Sequence, residues 1–310
     1  MAEPYAVLFP GQGSQAVGMG AEVRAARPDL LGRRADEILG WSLERLLAEG
    51  PEEELTATDR AQPALYAVSY ALWEEFAAAV PHPPAAAAGH SLGEYTALAA
   101  AGAVTYEDGL RLVAERGRAM AEAAARRPSS MAALVGVDLE AATAIVEARR
   151  AEGGELWVAN VNAPGQIVVG GPIEEIDRLV AEGRALGIRR VVPLKVAGAF
   201  HTPLMEPAAA RLAGVLADVA FAEPRFPVYA NVSGRPMEEP RALLVDQLTS
   251  PVRFLDTLAA MADAGIRTFV HVGPGDVTAG LARRSVEGAT TLVVSDLSDI
   301  PDAVAALSVQ

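Results

Sequence analysis

The chain has 310 residues, half of them hydrophobic, which is enough for one large domain or a large domain carrying a smaller insert. Its 26 basic and 40 acidic residues leave a formal charge of −14, and no basic run exceeds two residues, which speaks against a nucleic-acid partner because phosphate binding needs concentrated positive charge. Absence of cysteine excludes disulfides, thiol catalysis and sulfur-ligated metal; with no metal-ligand spacing among the histidines, no positively charged leader and no bilayer-length apolar stretch, a cytoplasmic, metal-free protein without a membrane partner is expected.

Along the chain, Tyr5 to Phe9 predicts a short buried strand, broken at Pro10 and followed by the loop Gly11-Gln12-Gly13-Ser14-Gln15. Helical periodicity runs from about Ala21 to Trp41 and from Pro63 to Ala79. Ala85 to Ala88 has weak strand propensity and is read as a strand from its context. Gly93 to Ala101 and Glu107 to Ala125 are helical, and Arg126 to Ser130 reads as a linker.

Next come a strand (Met131 to Val137), a helix capped by Asp138 (about Leu139 to Arg150) and a Gly153-Gly154 turn. A strand (Leu156 to Asn162), a Pro164-Gly165 turn and a strand (Gln166 to Gly170) follow. Pro172 then starts a helix that ends near Gly187, before a last strand (Ile188 to Leu194). The order β-α-β-β-α-β is that of a ferredoxin-like unit. Residues 128–195 are therefore expected to be a subdomain inserted in an α/β domain made of 1–127 and 196–310. Further strands at Val228 to Ala230, Thr268 to Val272 and Thr291 to Val294, with helices between them, indicate a mainly parallel sheet.

The most informative motif is Gly89-His90-Ser91-Leu92-Gly93. A serine flanked by glycines two positions away on each side, between a strand and a helix, has the form of a nucleophile elbow. The helix's first N–H groups would then face whatever the serine oxygen attacks. The other reading is an ordinary helix N-cap, which serine also favours. The pentapeptide alone does not rank the two.

Gly11-Gln12-Gly13-Ser14-Gln15-Ala16 fits the dinucleotide pattern G-x-G-x-x-A, but that pattern needs a second strand ending in an acid. Leu30 to Trp41 instead continues as helix with Asp36 inside it. A tight turn, or a loop that lends a donor to an oxyanion, remains.

His201, in Gly198-Ala199-Phe200-His201, follows an apolar strand and precedes a helix, a setting suited to a general base. His271 lies in a strand-like run and suits a hydrogen-bonded sheet residue; His90 is expected to pack under the elbow, and His82 to be exposed. On the helix from Glu107, the residues Arg111, Glu115, Arg118 and Glu122 form a stripe that should face solvent. Arg116 lies off that stripe, beside Leu112 and Met120, and so needs a partner. A structural carboxylate is the plainer partner; a substrate carboxylate, gripped by two parallel hydrogen bonds, is the functional one.

Together these residues resemble the malonyl-CoA:acyl carrier protein transacylase family. The likeness runs almost end to end, through Phe9-Pro10-Gly11-Gln12-Gly13-Ser14-Gln15, Gln62-Pro63-Ala64, the elbow with Glu94-Tyr95, and Arg116-Gly117-Arg118-Ala119-Met120. It continues in Asn162-Ala163-Pro164-Gly165-Gln166, Gly198-Ala199-Phe200-His201, Gln247-Leu248 with Pro251-Val252, and Val272-Gly273-Pro274-Gly275. It implies an α/β-hydrolase-like domain with a ferredoxin-like insert. It also implies Ser91 as nucleophile, His201 as base, the Gln247 backbone carbonyl as the group that orients the imidazole, and the N–H groups of Gln12 and Leu92 as the oxyanion hole. Arg116 would hold the malonyl carboxylate, and Phe200 would narrow the α-carbon pocket as in malonyl-selective members. Two departures are Asp276, where the family often has lysine, and His271, where it often has glutamate.

The implied reaction is ping-pong transfer of malonyl from malonyl-CoA to the phosphopantetheine thiol of acyl carrier protein in fatty-acid synthesis. Malonyl-CoA and the carrier are the partners, a coenzyme A thioester is the substrate, no cofactor is needed, and a monomer is expected. The alternatives are a discrete acyltransferase of a polyketide pathway and a serine hydrolase or thioesterase using His271 with Asp246 or Asp256. A non-enzymatic carrier-binding module is a third. Arg189, Arg190 and Lys195, or Arg283 with Arg284, are the candidates for docking an acidic carrier.

Overall fold

A computed structural model describes residues 3–308. Its strands are β1 (Tyr5–Phe9), β2 (Ala86–Gly89), β3 (Ser129–Val135), β4 (Trp157–Ala163), β5 (Gln166–Pro172), β6 (Arg190–Pro193), β7 (Val228–Tyr229), β8 (Thr268–Val272) and β9 (Thr290–Val294). They form two sheets.

The larger sheet has the order β7-β2-β1-β8-β9, and every adjacent pair is parallel. β1 is its centre and is apolar and buried throughout, as a strand covered on both faces must be. Period-two alternation divides β1 between two cores. Tyr5, Val7 and Phe9 pack with the helices Thr58–Ala79 and Tyr106–Arg126, whereas Ala6 and Leu8 pack with the helix Phe254–Asp263. β2 has the poor strand sequence Ala-Ala-Ala-Gly. Its pairing with β1 (Phe9 opposite Gly89) and with β7 overrides that propensity. The register places the end of β1 and its following loop beside the elbow.

The smaller sheet has the order β4-β5-β3-β6, all antiparallel, backed by the helices Leu139–Ala151 and Ile173–Glu182 around a core of its own. This is the ferredoxin-like order. Asp138 caps its helix as expected, accepting from the Ala141 N–H at 2.8 Å. β4 is also tied to the large half: Val161 N–H donates to the Val252 carbonyl (2.8 Å), and Val252 N–H to that of Ala159 (2.9 Å).

Several expected boundaries move. The stretch Ala21 to Trp41 is three short helices, Ala21–Ala26, Pro28–Leu31 and Arg33–Leu39. Pro28 has no N–H to continue a helix but suits a first turn, and Gly40 ends the last one at φ 78. The helix expected from Pro63 begins earlier, at Thr58. The linker shrinks to Arg127 and Pro128, because Ser129 and Ser130 pair with Pro172 and Gly171. The helix expected to reach Gly187 ends at Glu182, and the last small-sheet strand starts at Arg190. Among the described residues, no helix is long and apolar enough to cross a membrane.

Candidate active site

The elbow glycines are required by contact. A Cβ on Gly89 would lie 1.8 Å from the Gly93 carbonyl carbon, and one on Gly93 would lie 2.4 Å from the Phe9 oxygen. Strand, turn and helix therefore pack backbone to backbone, and Ser91 is pushed to φ 52. Three hydrogen bonds hold that unfavourable conformation. Ser91 N–H donates to Asn231 Oδ1 (2.7 Å), Asn231 Nδ2 to the Gly89 carbonyl (2.7 Å), and Gln247 Nε2 to the Ser91 carbonyl (3.0 Å).

His201, buried at 4% exposure, is the other non-glycine residue at positive φ among the described residues (φ 59). Its Nε2 lies 2.7 Å from Ser91 Oγ, and its Nδ1 lies 2.7 Å from the Gln247 backbone oxygen. A carbonyl can only accept, so Nδ1 carries the proton and Nε2 faces the serine with its lone pair. Burial, and then the nearby Arg116 charge, push the His201 pKa down to about 3, so the imidazole is neutral and ready to take a proton.

Arg116 is 1% exposed. Its Nη1 donates to Gln62 Oε1 (2.7 Å), and its Nη2 to Gln247 Oε1 (2.8 Å) and Ser91 Oγ (3.0 Å). Its Nε has no partner. Both amide partners are neutral, and among the described residues no carboxylate forms an ion pair with Arg116. The plainer sequence reading, a structural carboxylate on this arginine, is not what the fold provides. The stripe Arg111, Glu115, Arg118 and Glu122 is more exposed, and Glu115 and Glu122 pair with Arg211.

Gln12 and Leu92 border the same pocket as Ser91, His201 and Arg116. The Gln12 loop packs against the elbow: a Cβ on Gly11 would meet the His90 carbonyl oxygen at 2.6 Å. Helices follow this loop, not the second strand that a dinucleotide site needs. Phe200, Met120, Met131, Val168 and Leu194 supply apolar wall. His90 differs from expectation: it borders the pocket, with Nε2 2.8 Å from Asn162 Oδ1 and its ring against Phe254, because β4 of the smaller sheet brings Asn162 beside the elbow. His82 is half-buried beside Tyr5, not fully exposed. His271 is buried, bound to Thr278 Oγ1 (2.6 Å) and the Gly273 carbonyl (3.0 Å). Its ring nitrogens meet neither Asp246 nor Asp256 (which pairs with Arg253), and Ser91 Oγ faces His201 instead, so the hydrolase order of serine, acid and late histidine is not assembled.

The acyl transferase domain family matches residues 7–302. A malonyl CoA-acyl carrier protein transacylase of Bacillus subtilis is 40% identical over 307 residues, covering 97% of this chain and 96% of that protein. The structure of the malonyl CoA-acyl carrier protein transacylase from Coxiella burnetii superposes with a TM-score of 0.93 at 35% identity, covering 99% and 98% of the two chains. A malonyl-transacylase solved with a type II polyketide synthase acyl-carrier protein superposes with a TM-score of 0.91 at 37% identity, covering 98% and 100%. The chain belongs to the malonyl-CoA:acyl carrier protein transacylase family.

Two residues of this transacylase-family site escaped sequence reasoning as site residues. Asn231 lies just past β7 and holds the Ser91 backbone. Its signal was only its place at the carboxyl end of a parallel strand. Glu94 is fully buried, and burial raises its carboxyl pKa to about 7. An acid within the otherwise uncharged helix Gly93–Ala100 was the available signal.

Proposed function

We propose that this chain transfers malonyl from malonyl-CoA to the phosphopantetheine thiol of an acyl carrier protein, through a malonyl ester on Ser91, in fatty-acid synthesis. The observation that carries this reading is Arg116: a buried guanidinium, without a carboxylate partner, 3.0 Å from Ser91 Oγ. A free carboxylate on the acyl group is the ligand such a group lacks.

His201 Nε2 takes the Ser91 proton as Oγ attacks the thioester carbonyl, and the Gln247 carbonyl steadies the resulting imidazolium through Nδ1–H. The backbone N–H groups of Gln12 and Leu92 hold the oxyanion. The carbon–sulfur bond breaks, and coenzyme A leaves as a thiol with the proton from His201. The malonyl carboxylate rests on Arg116 until the carrier thiol attacks the ester and the steps reverse, which makes the kinetics ping-pong. Phe200 occupies the space an α-methyl group would need. The coenzyme A thioester is a substrate, and the steps call on no cofactor.

Residues 128–195 act in this reading as an inserted subdomain that supplies one wall of the acyl site. The described parts of 1–127 and 196–310 form the transfer domain. The compartment that goes with it is the cytoplasm. Intact mass after mixing with malonyl-CoA tests the proposal: one malonyl group should add to the wild-type chain and none to Ser91→Ala. Acylation of Ser91→Ala would refute it.

A further inference from the structure

The mechanism above makes no use of Glu94, although a fully buried carboxylate needs a reason to be there. Its Oε2 accepts from Gln247 Nε2 (2.7 Å) and from the Asn231 backbone N–H (3.1 Å), while its Oε1 has no partner. Gln247 Nε2 also donates to the Ser91 carbonyl at 3.0 Å. Both N–H groups of the amide are thereby committed to acceptors on one side. The amide oxygen must point the other way, where Arg116 Nη2 donates to it at 2.8 Å. A flipped amide would set N–H against the N–H of the guanidinium and leave Glu94 facing a carbonyl. The remaining side-chain acceptor that steadies Arg116, apart from Ser91, is Gln62 Oε1 on another helix, at 2.7 Å. Without the Gln247 oxygen, the guanidinium would keep the Gln62 contact and the Tyr95 ring 5.4 Å away, neither of which aims its Nη2 donors at Ser91.

We propose that Glu94 is a positioning residue for acyl-group selection: it fixes the orientation of the Gln247 amide, and so aims the Arg116 guanidinium at the position of the acyl carboxylate. This rests on the reading of Arg116 as the partner of the malonyl carboxylate. Glu94 touches neither substrate nor reacting atoms and acts through Gln247. Because it also holds Asn231, its loss should slow every acyl group somewhat, but a carboxylate-bearing one most.

The test is the single-turnover rate and half-saturating concentration for self-acylation by malonyl-CoA and by acetyl-CoA, read by intact mass. Wild type, Glu94→Gln, Glu94→Asp and Arg116→Ala are compared, with folding checked by thermal melts. Glu94→Gln keeps an oxygen that can accept both N–H groups and should hold the malonyl-to-acetyl rate ratio within about threefold of wild type. Glu94→Asp is one methylene too short to reach Gln247 and should lower that ratio by about tenfold, mainly through weaker half-saturation by malonyl-CoA. Arg116→Ala should lower it at least as far. An unchanged ratio in Glu94→Asp, beside a fallen ratio in Arg116→Ala, would overturn the role of Glu94 alone. A ratio lost in Glu94→Gln would also overturn it; should Glu94→Asp not fold, Gln247→Met, which removes the amide that Glu94 orients, takes its place, and an unchanged ratio there would overturn the proposal. An unchanged ratio in Arg116→Ala would instead overturn the reading of Arg116, and the proposal with it.

Discussion

The two halves of this molecule contribute to one pocket in different ways. The half built on the parallel sheet holds Ser91 and His201 at positive φ: Ser91 lies in an elbow packed backbone to backbone and tied by hydrogen bonds to Asn231 and Gln247, and the His201 ring is held between Ser91 Oγ and the Gln247 carbonyl. The antiparallel half contributes Met131, Asn160, Asn162, Gln166 and Val168 from β3, β4 and β5; β4 shifts register against β5 between Val158 and Asn160 and between Val161 and Ala163, yet among the described residues of this half only glycines have positive φ. Strain is thus confined to the groups given a role in bond-making, where a dense network can hold it. The wall that shapes the pocket uses side chains on strands, two of them beside the register shifts of β4, without a non-glycine residue at positive φ.

The sharpest way to break that comparison is to remove the base. His201→Ala should slow acylation by about 100- to 10,000-fold, measured in single turnover, whereas His271→Ala should change the rate little and lower thermal stability. A reversed ranking would restore the hydrolase arrangement. The pH profile sharpens this test. The His201 pKa lies far below its ordinary 6.5, so the free enzyme's base stays unprotonated, and kcat/KM should fall only at pH well below 6.5. Charge neutralisation of Arg116 by a bound malonyl group removes one cause of that depression, so the acid limb of kcat should lie at higher pH than that of kcat/KM. The linkage to stability has the same sense: a depressed histidine pKa adds stability that is present above 6.5 and lost as pH falls toward about 3.

The glycines test the comparison through stability. Gly89→Ala would force a Cβ to 1.8 Å from the Gly93 carbonyl carbon, and should cost about 3 kcal/mol or more in urea unfolding along with most activity. Gly165→Ala, in the turn between β4 and β5, also sits at positive φ but meets nothing closer than 3.9 Å. It should cost about 1 kcal/mol and leave acylation nearly intact. Equal losses would mean that the elbow is no more tightly determined than a turn of the smaller sheet.

Arg116 gives a narrower effect. Arg116→Ala should impair malonyl transfer far more than acetyl transfer, and Arg116→Lys should rescue only partly, because an ammonium lacks the two-pronged donor geometry. Equal losses for both acyl groups would make Arg116 a structural strut between Gln62 and Gln247.

The smallest effect is expected at the surface. Arg189, Arg190 and Lys195 are exposed at the edge of the smaller sheet, next to the pocket residues Leu194 and Val196. Arg283 and Arg284 are exposed on the helix Val277–Ser285, which lends Val277 and Leu281 to the same pocket. Arg189→Glu/Arg190→Glu or Arg283→Glu/Arg284→Glu should raise KM for the carrier by a few fold at low salt and leave self-acylation untouched. Unchanged carrier kinetics in both would move the docking surface elsewhere.

Much of this was legible before any coordinates. The β-α-β-β-α-β order, the elbow glycines and the setting of His201 follow from periodicity and turn chemistry, which are local. Element ends were less legible. Pro28 begins a helix where the apolar spacing alone runs through it, and Ser129 joins a strand because Pro172 lies opposite. His90 was misplaced because the groups its ring meets, Asn162 and Phe254, lie 72 and 164 residues along the chain. Glu94 and Asn231 were missed because their significance lies in their partners: Asn231 is 140 residues from Ser91, and Gln247 is 153 from Glu94.

The sequence by itself determined the family, the order of the elements and which residue types could carry acyl transfer, because motif spacing and hydrophobic period act over one turn or one strand. Tertiary structure alone decided that Ser91 Oγ meets His201 Nε2 across 110 residues, and that the Gln247 backbone faces the histidine while its side chain faces Arg116. It also left Arg116 bonded to neutral amides, with the nearby Glu94 reaching it only through Gln247. Buried polar groups must find partners wherever packing and sheet register bring them, and those partners lie far along the chain, beyond the reach of local patterns.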